Sequence, residues 1–275
     1  PENEERLKYI SGFSGSSGFG IISSNINIKS AIFSDGRYKL QLKKEVDHIN
    51  FDSFEGGIKE IGQFLIKNQN FFINLAIDPW LITLTQYNNL KKIIQNNKIN
   101  LIFLKSNLID EIWLNNKQEL SKPVYELSTH YTGKKRSSKI IELTQKIKDN
   151  GGDYYILFRP TGLAWLLNIR GNDLKHTPVS RSFCIISKTG EVLIFTDNNN
   201  IEDIFIKDNE IKIYNFNEFT SFIQSIKKEI FLIDDQVLPF KLYEKLKLEN
   251  LVVKKISCPV EKSKSIKNIV ELKGM

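Results

Sequence analysis

The sequence predicts an α/β protein made of two tandem copies of one fold unit, each with a mixed sheet flanked by helices. Apolar strands alternate with amphipathic helices along the chain, which favours partly parallel sheets covered by helices. Similar segments recur at a constant spacing in the two halves, which indicates a duplication. The 275 residues, 41% hydrophobic and 26% charged, are enough for two domains of ordinary size.

The duplication is carried by short matching segments. The matched pairs are 7–10 (LKYI) with 163–166 (LAWL), 31–35 (AIFSD) with 193–197 (LIFTD), and 77–78 (ID) with 233–234 (ID). The first and third pairs are both offset by 156 positions (163 − 7 and 233 − 77). Agreement before and after an intervening loop insertion predicts two copies of one unit rather than one large domain.

Within each copy the predicted order is a helix, two strands joined by a polar turn, a helix, a strand ending in Asp, another helix and a last strand. Residues 2–10 already read as helix, so we expect the first copy to lack the strand that would precede it. The late helices, 83–96 and the one opening at Pro239, place apolar residues three and four apart. Residues 188–191 (KTGE) predict a hairpin turn.

A polar stretch separates the two copies. Residues 115–132 contain Pro123 and lack periodicity, and are predicted to be a linker. A helix over 137–150 then opens the second copy. The last residues, 265–275, are predicted to have no packing partner in either copy. The predicted domains are 1–120, 121–262 and 263–275, the last being the start of a further domain.

The charge and cysteine content limit the function classes. The net charge is +7, but the lysines are dispersed in short pairs and one triplet, without interleaved aromatics, so we predict no nucleic-acid partner. No apolar run approaches the roughly 18 residues of a membrane span, so no membrane partner is predicted either. Cys184 and Cys258 lie in apolar stretches and indicate buried thiols of a reducing compartment, which favours the cytoplasm.

Local motifs for catalysis are not found in the sequence. The isolated histidines His48, His130 and His176 match no metal-binding spacing, and the glycines of 11–20 fit no phosphate-binding fingerprint. Those glycines are predicted to allow a close-packed helix-to-strand connection. Cys184 is predicted to be buried in a strand rather than to act as a nucleophile. Asp234 and its neighbour are predicted to cap the helix that follows. No catalytic residue and no metal ligand is therefore predicted in this chain.

Two polar loops remain as candidate sites. For Asp35 and Arg37, a local ion pair or helix N-cap is favoured over a binding role. The second loop carries Arg170, Asp173 and His176 as candidate substrate-binding residues, because an Arg fork beside Gly can hold a carboxylate or carbonyl.

These segments resemble the front half of the cytosolic-type Xaa-Pro aminopeptidases (aminopeptidase P, peptidase family M24). The resembling segments are 12–18 (GFSGSSG), 34–38 (SDGRY), 78–82 (DPWLI), 107–113 (NLIDEIW), 164–173 (AWLLNIRGND) and 176–179 (HTPV). Residues 267–275 resemble that family's entry into its catalytic domain. Two departures lie on the loop side facing the expected site: 159–162 (RPTG) replaces a more acidic segment, and Thr177 stands where Asn is usual.

The resemblance implies two creatinase N-terminal-like domains, of the ribonuclease H-like fold, without the pita-bread catalytic domain. It implies a parent metallopeptidase that releases an N-terminal residue preceding proline, using two divalent ions, manganese by expectation, held by the catalytic domain. This chain is then expected to bind no cofactor and to be inactive alone, serving structure and substrate gating. The expected partners are its own C-terminal catalytic domain, Xaa-Pro peptides and, for the parent, a second copy. The expected source is bacterial and the location cytoplasmic.

A stand-alone binding protein that kept the duplicated fold and lost the peptidase domain is the alternative. The length of the reading frame distinguishes the two hypotheses.

Overall fold

The computed structural model describes residues 4–71, 74–114, 122–205 and 208–275, and divides into two compact units, 1–119 and 120–275. None of the helices in these residues is long and apolar enough to cross a membrane.

The first unit combines five α-helices with two small sheets in its described residues. The helices are α1 (Arg6–Ser11), α2 (Lys39–Glu45), α3 (Ile58–Lys67), α4 (Leu84–Ile94) and α5 (Leu108–Ile112). The strands are β1 (Phe19–Ile21), β2 (Ser30–Ser34), β3 (Phe51–Glu55), β4 (Asn74–Ile77) and β5 (Asn100–Phe103). One sheet has the order β1-β2-β3, antiparallel and then parallel, and the other pairs β4 with β5 in parallel.

The second unit is built on a six-stranded mixed sheet. Its strands are β6 (Val124–Glu126), β7 (Tyr154–Leu157), β8 (Ile169–Gly171), β9 (Ser182–Ser187), β10 (Val192–Thr196), β11 (Ile211–Tyr214), β12 (Ile230–Ile233) and β13 (Val252–Lys255). Its helices are α6 (Thr129–Thr132), α7 (Arg136–Asp149), α8 (Pro160–Leu167), α9 (Glu202–Phe205), α10 (Glu218–Ser225), α11 (Phe240–Leu248), α12 (Pro259–Ser265) and α13 (Ile269–Gly274). The large sheet has the order β11-β10-β9-β7-β12-β13, and β6 pairs with β8 separately.

The strand pairings confirm the predicted duplication. The antiparallel pair β1–β2 recurs as β9–β10, and the parallel pair β2–β3 recurs as β10–β11. The parallel pair β4–β5 recurs as β12–β13. Two units with the same pairings, each in a mixed sheet with flanking helices, are the fold that the sequence predicts.

Helices cover both faces of the second unit's sheet, and this accounts for its continuous apolar strands. Every residue of β9 and β10 is buried, as expected for a strand at the centre of a covered sheet. Cys184 and Ile186 pack with residues of α7 and α8 on one face. Phe183 and Phe195 contact Phe219 of α10 on the other, with ring centroids 5.6 and 5.4 Å apart. Full burial of each such side chain contributes roughly 1.5–3 kcal/mol.

The environment of Cys184 excludes a role as a nucleophile. Its side chain is fully buried inside β9, and burial raises the pKa of its thiol. A thiol without a nearby cation in an apolar core stays protonated and unreactive. The predicted packing role of Cys184 is confirmed.

The glycine-rich segment after α1 makes a close-packed connection to β1, as predicted. Gly12 ends α1 in the left-handed conformation, with a φ of 78°. A Cβ on Gly12 would lie 2.6 Å from the carbonyl oxygen of Glu45, and one on Gly18 would lie 2.9 Å from Leu7. Side chains at these positions would separate the helix from the sheet.

The boundary between the two units falls inside the predicted linker, but the described part of that segment is not irregular as predicted. Residues 115–121 lie outside the described residues, but the rest of the segment contains β6, paired antiparallel with β8, and the helix α6. Both elements are too short to show a periodic apolar pattern. β6 is stabilised by a strand about 45 positions later in the chain and α6 packs with the last helix, α13, and local sequence reveals neither partner.

Replacing Gly171 by alanine is expected to destabilise the second unit by about 1–3 kcal/mol. A Cβ at this position would lie 2.7 Å from the backbone nitrogen of Ser180 and 2.8 Å from the carbonyl carbon of Val179, so the backbone itself must shift. Urea denaturation of the two proteins measures the difference. Gly274→Ala is the matched control, because nothing lies within 4 Å of its added carbon, and it should change stability by less than about 0.5 kcal/mol. Equal midpoints for Gly171→Ala and the control would contradict the packing described.

Candidate functional site at the terminal helix

The terminal helix α13 is fixed to the second unit by a cluster of polar side chains. We call this cluster the α13 anchor, and it consists of Lys139, Trp165, Asn168, Asn268 and Glu271. It joins the first turn of α13 to α6 and α8, and Lys139 of α7 supports the end of α8.

Lys139 is the buried cation of the α13 anchor. Only 2% of its surface is exposed, and its Nζ donates to the carbonyl oxygen of Trp165 and to Oδ1 of Asn168, both at 2.7 Å. The same ammonium lies 4.1 Å from the centre of the Trp165 ring, in cation–π geometry. Desolvation by burial lowers the pKa of Lys139 to about 8, against an opposing attraction to Glu271.

Trp165 and Asn268 hold α13 from two sides. The indole Nε1 of Trp165 donates to Oε1 of Glu271 at 2.9 Å, and Nδ2 of Asn268 donates to the carbonyl oxygen of Thr132 at 2.9 Å. Asn268 is also the N-cap, with Oδ1 accepting from the backbone N–H of Glu271 and Glu271 accepting from the N–H of Asn268. The cap and the anchor therefore use the same two side chains.

The prediction that 265–275 has no packing partner is wrong. The first residues of α13 lie against the end of α6, where a Cβ on Gly133 would lie 2.3 Å from Oδ1 of Asn268 and 2.9 Å from Cβ of Val270. An apolar-periodicity criterion misses such a contact. The pattern Asn268-x-x-Glu271 is a capping-box signal that identifies the start of α13 from sequence alone.

Arg170 lies on β8 beside the anchor and is half-buried. Its Nη1 donates to the carbonyl oxygens of Ala164, at 3.1 Å, and Ile169, at 2.7 Å. Burial lowers the pKa of its guanidinium, while Tyr125 and Glu271 act in the opposite direction. The contacts therefore place part of the Arg170 fork on one carbonyl of α8 and on one at the start of β8.

Asp173 is buried and accepts several hydrogen bonds. It is 7% exposed, and its carboxylate accepts from the backbone N–H groups of Arg181 at 2.7 Å and Lys122 at 3.1 Å. It also accepts from Oγ of Ser180 at 3.2 Å and from Nδ2 of Asn198 at 3.3 Å. These contacts join the segment before β6, the start of β9 and the loop after β10.

His176 lies exposed in the turn bounded by the bridge between Leu174 and Thr177. In the part of the chain that the structure describes, no hydrogen bond or ion pair joins Arg170, Asp173 and His176 to one another. They lie in one segment, Arg170 on β8 and the other two after it, without forming one cluster, and their role in substrate binding stays a prediction.

The local interpretation of Asp35 and Arg37 is confirmed. Nε and Nη2 of Arg37 donate to the two carboxylate oxygens of Asp35 at 2.9 and 2.8 Å. Asp35 also accepts from the backbone N–H of Arg37 as N-cap of a short 3-10 helix, and the hydrogen bond to Arg37 lowers the pKa of the carboxyl. Both groups are exposed, so the pair contributes little to stability.

The prediction that Asp234 and Asp235 cap the following helix is wrong. The helix α11 has Pro239 at its N-cap and no side-chain cap. Asp234 instead pairs with Arg159, with Nη2–Oδ2 at 2.9 Å, and Asp235 pairs with Lys255 at 2.9 Å. Both carboxylates form ion pairs with residues of other parts of the sheet that are distant in sequence.

The described residues offer no fit for the metal pair that the resemblance implies for the parent enzyme. Among the described residues, no group of three or more His, Cys, Asp or Glu side chains is close enough to hold a metal ion. His48 contacts the carbonyl oxygen of Lys43, and His130 contacts the ring of Tyr131. No catalytic step through a metal is derived for this chain.

The buried charge of Lys139 predicts a specific pH dependence. Between pH 8 and its ordinary value of 10.5, the unfolded chain holds a proton on Lys139 that the native chain does not. The contribution of Lys139 to the free energy of unfolding therefore increases with pH across that window. The increase is about 1–2 kcal/mol by pH 10. The rise should be absent in Lys139→Met and retained in Lys148→Met, an exposed lysine on the same helix. Denaturation at pH 8 and pH 10 gives the comparison, and equal pH dependence in all three proteins would contradict it.

Comparison with known proteins gives one family over both units. Residues 2–111 and 115–271 each match a model described as the creatinase/prolidase N-terminal domain. Xaa-Pro aminopeptidase 1 of Dictyostelium discoideum is 29% identical over 99% of this chain and 44% of its own length. Aminopeptidase P2 of Arabidopsis thaliana is 29% identical over 74% of this chain.

A solved structure has the same fold over the whole chain. It is X-prolyl aminopeptidase from Caenorhabditis elegans, described as a cytosolic enzyme with a di-nuclear active site, with a TM-score of 0.88 at 23% identity. It is matched over 99% of this chain and 46% of its own length. The chain thus spans less than half the length of these relatives. The relatives named here are eukaryotic, which does not support the expected bacterial source.

Proposed function

Because the chain belongs to the creatinase/prolidase N-terminal domain family, we propose that it is the non-catalytic N-terminal portion of a Xaa-Pro aminopeptidase. In this proposal the peptidase chemistry resides in a C-terminal portion. This chain provides structure and limits access of substrate to the active site.

The observation that carries the proposal is the extent of the similarity. Two consecutive family matches cover nearly the whole chain, and relatives named as Xaa-Pro aminopeptidases match it from end to end over less than half of their own length.

The proposed metal requirement belongs to the C-terminal portion. Two divalent ions, manganese by expectation, would bind there and activate water as the nucleophile for cleavage before proline. The natural location proposed for the whole enzyme is the cytoplasm, and its proposed oligomeric state is a homodimer. None of the residues of this chain takes part in the chemical step.

The connection between the two portions is assigned to the α13 anchor. Glu271 and Asn268 fix the direction of α13 at the point where the C-terminal portion would follow. Trp165 fixes Glu271 in turn, and Lys139 holds the backbone of Trp165, so the anchor would set the orientation of the second unit against the catalytic portion. Rigid supporting contacts of this kind position a site to within a fraction of an ångström.

The gating role is proposed for the loop that carries Arg170 and His176. The exposed turn at His176 is available to contact a peptide, while the buried Asp173 holds the base of the same loop. In this view Asp173 acts through the loop and does not touch substrate. The loop would form one wall of the peptide cleft and restrict cleavage to chain ends.

The gating role is tested by kinetics in the whole enzyme. His176→Ala and Arg170→Ala should raise KM for several Xaa-Pro peptides with a smaller change in kcat, because substrate binding and not the chemical step is affected. Arg37→Ala is the matched control, since that guanidinium is committed to a local, exposed ion pair. Unchanged kinetics in both loop variants would remove the gating role and leave the structural one.

A metal titration tests independently whether the metal ligands lie outside residues 1–275. The chain 1–275 should show no stoichiometric binding of Mn²⁺, whereas the whole enzyme should bind two ions. Saturable binding by 1–275 at micromolar Mn²⁺ would contradict the proposal, because it would place ligands in this portion.

A further inference from the structure

The second unit contains a cavity of about 290 Å³ at the start of α7. Its walls come from the first turn of α7, from β6 and α6, and from the segment between α9 and β11. Ile140 and Asn168 close it on the inner side, with 5% and 3% of their surfaces exposed. Asn168 belongs to the α13 anchor, so the cavity lies directly beside that cluster.

Arg136 is held at the cavity by three contacts. Its Nε donates to Oδ2 of Asp208 at 3.2 Å, and its Nη1 donates to Oε1 of Glu126 at 3.1 Å. Its guanidinium also lies 5.0 Å from the centre of the Phe205 ring. The side chain is 21% exposed, and among the described residues no acceptor pairs with Nη2. The fork is therefore fixed in position while one of its nitrogens can still donate to a carboxylate.

Other polar groups of the cavity wall are not engaged by the protein. In the described part of the chain no hydrogen bond or ion pair is formed by the side chains of Thr129, Lys135, Ser137 and Glu210. The helix α7 also begins without a side-chain cap, so the N–H groups of its first turn have no side-chain acceptor. The wall thus offers further donors beside Arg136 and one unpaired carboxylate.

The charges of the wall select the class of ligand. The three carboxylates of Glu126, Asp208 and Glu210 exceed the two cations of Lys135 and Arg136, which gives a formal charge of −1 (2 − 3). An anion alone would be repelled by the excess of carboxylates, and a simple cation would be repelled by the fixed guanidinium. A compound that carries both a carboxylate and an ammonium group complements both signs. The volume lies at the lower limit for ligand pockets and suits a compound of that size.

We propose that this cavity binds a free α-amino acid. The carboxylate of the ligand accepts from Nη2 of Arg136 and from Ser137 in the first turn of α7, and its ammonium group donates to Glu210. An apolar side chain contacts Ile140. The ligand joins α7 to the segment before β11 and therefore stabilises the second unit. The binding site does not depend on the proposed peptidase function, although an amino acid is also the class of compound that such an enzyme would release.

Calorimetric titration of the chain 1–275 at neutral pH tests this proposal. The probes are L-leucine, N-acetyl-L-leucine, which lacks the ammonium group, and L-leucinamide, which lacks the carboxylate. L-leucine should bind saturably with a dissociation constant of about 1 mM or below. Each blocked compound should bind at least about tenfold more weakly, because one set of charged groups in the wall is then left unpaired.

Two variants assign the binding to the cavity. Glu210→Gln and Arg136→Gln should each weaken the binding of L-leucine by about tenfold or more. Asp149→Asn, at the exposed far end of α7, is the matched control and should bind L-leucine like the unaltered chain. Circular dichroism checks that each variant is folded. Glu210→Gln decides the matter if loss of the two ion pairs unfolds the Arg136 variant, since Glu210 is exposed and unpaired.

Three outcomes would overturn the proposal. The first is the absence of saturable heat with L-leucine up to about 20 mM. The second is equal affinity for L-leucine and its two blocked forms, which would show binding by the apolar side chain alone. The third is an affinity of folded Glu210→Gln within about twofold of the unaltered chain, which would place the ligand elsewhere. None of these results bears on peptidase activity, which is measured separately.

Discussion

Replacing Asp173 by alanine is expected to lower the free energy of unfolding of the second unit by about 3–5 kcal/mol. The substitution leaves the backbone N–H groups of Lys122 and Arg181 without their acceptor, together with the side chains of Ser180 and Asn198. Each buried donor left unpaired costs about 1–3 kcal/mol, and the costs are not additive. Urea denaturation followed by tryptophan fluorescence and circular dichroism measures the loss.

Asp149→Ala is the control for this substitution, because that carboxylate is exposed at the end of α7 and accepts only from Gln145 on the same helix. It should change stability by less than about 0.5 kcal/mol. The loss of stability in Asp173→Asn should fall between those of the two alanine variants. The amide keeps one acceptor oxygen but places an NH₂ group next to other hydrogen-bond donors. A loss below about 1 kcal/mol in Asp173→Ala would contradict a structural role for this carboxylate.

Replacing Arg159 by alanine is expected to cost about 2–3 kcal/mol, the second largest effect. Its guanidinium pairs with Asp234, whose side chain is 6% exposed and which also accepts from the backbone N–H of Gln236. Without Arg159 the carboxylate is left desolvated and unpaired. The cost is reduced from the value for a fully buried pair because the Arg159 side chain is 33% exposed.

A double-mutant cycle isolates this pair. Combining Arg159→Ala with Asp234→Asn should cost less than the sum of the two single substitutions, with a coupling of about 1–3 kcal/mol. The exposed pair of Arg37 and Asp35, with side chains 73% and 41% exposed, is the control and should couple by less than about 1 kcal/mol. Additive losses for Arg159 and Asp234 would contradict the buried pair.

The fold was predictable because its signals are local and repeated. Apolar periodicity identified α4 and α7 within one or two residues, and the Lys188–Glu191 turn identified the β9–β10 hairpin. The repeated segments also predicted that the two units have the same fold, which no single segment indicates. The elements that were missed, β6 and α6, are too short for periodicity and owe their structure to tertiary partners.

The polar contacts of the site were less predictable than the fold. Asp234 and Asp35 both end a strand with a carboxylate, yet Asp35 caps locally and Asp234 pairs with Arg159, 75 positions away. A short-range rule assigns both as caps and is right only when the partner is close in sequence. Lys139 shows the same limit, since an isolated lysine in an amphipathic helix is usually exposed, and only the fold places it against Trp165.

The central claim is that this chain is the supporting half of a peptidase whose chemistry resides in a C-terminal portion. The most direct test is hydrolysis of an Xaa-Pro peptide with added Mn²⁺, comparing 1–275 with the chain extended through the downstream reading frame at equal concentration. We predict no release of the N-terminal residue above background by 1–275 and metal-dependent release by the extended chain. Turnover by 1–275 alone, abolished by a chelator, would contradict the claim. Inactivity of both proteins would contradict it as well, in favour of a stand-alone binding protein.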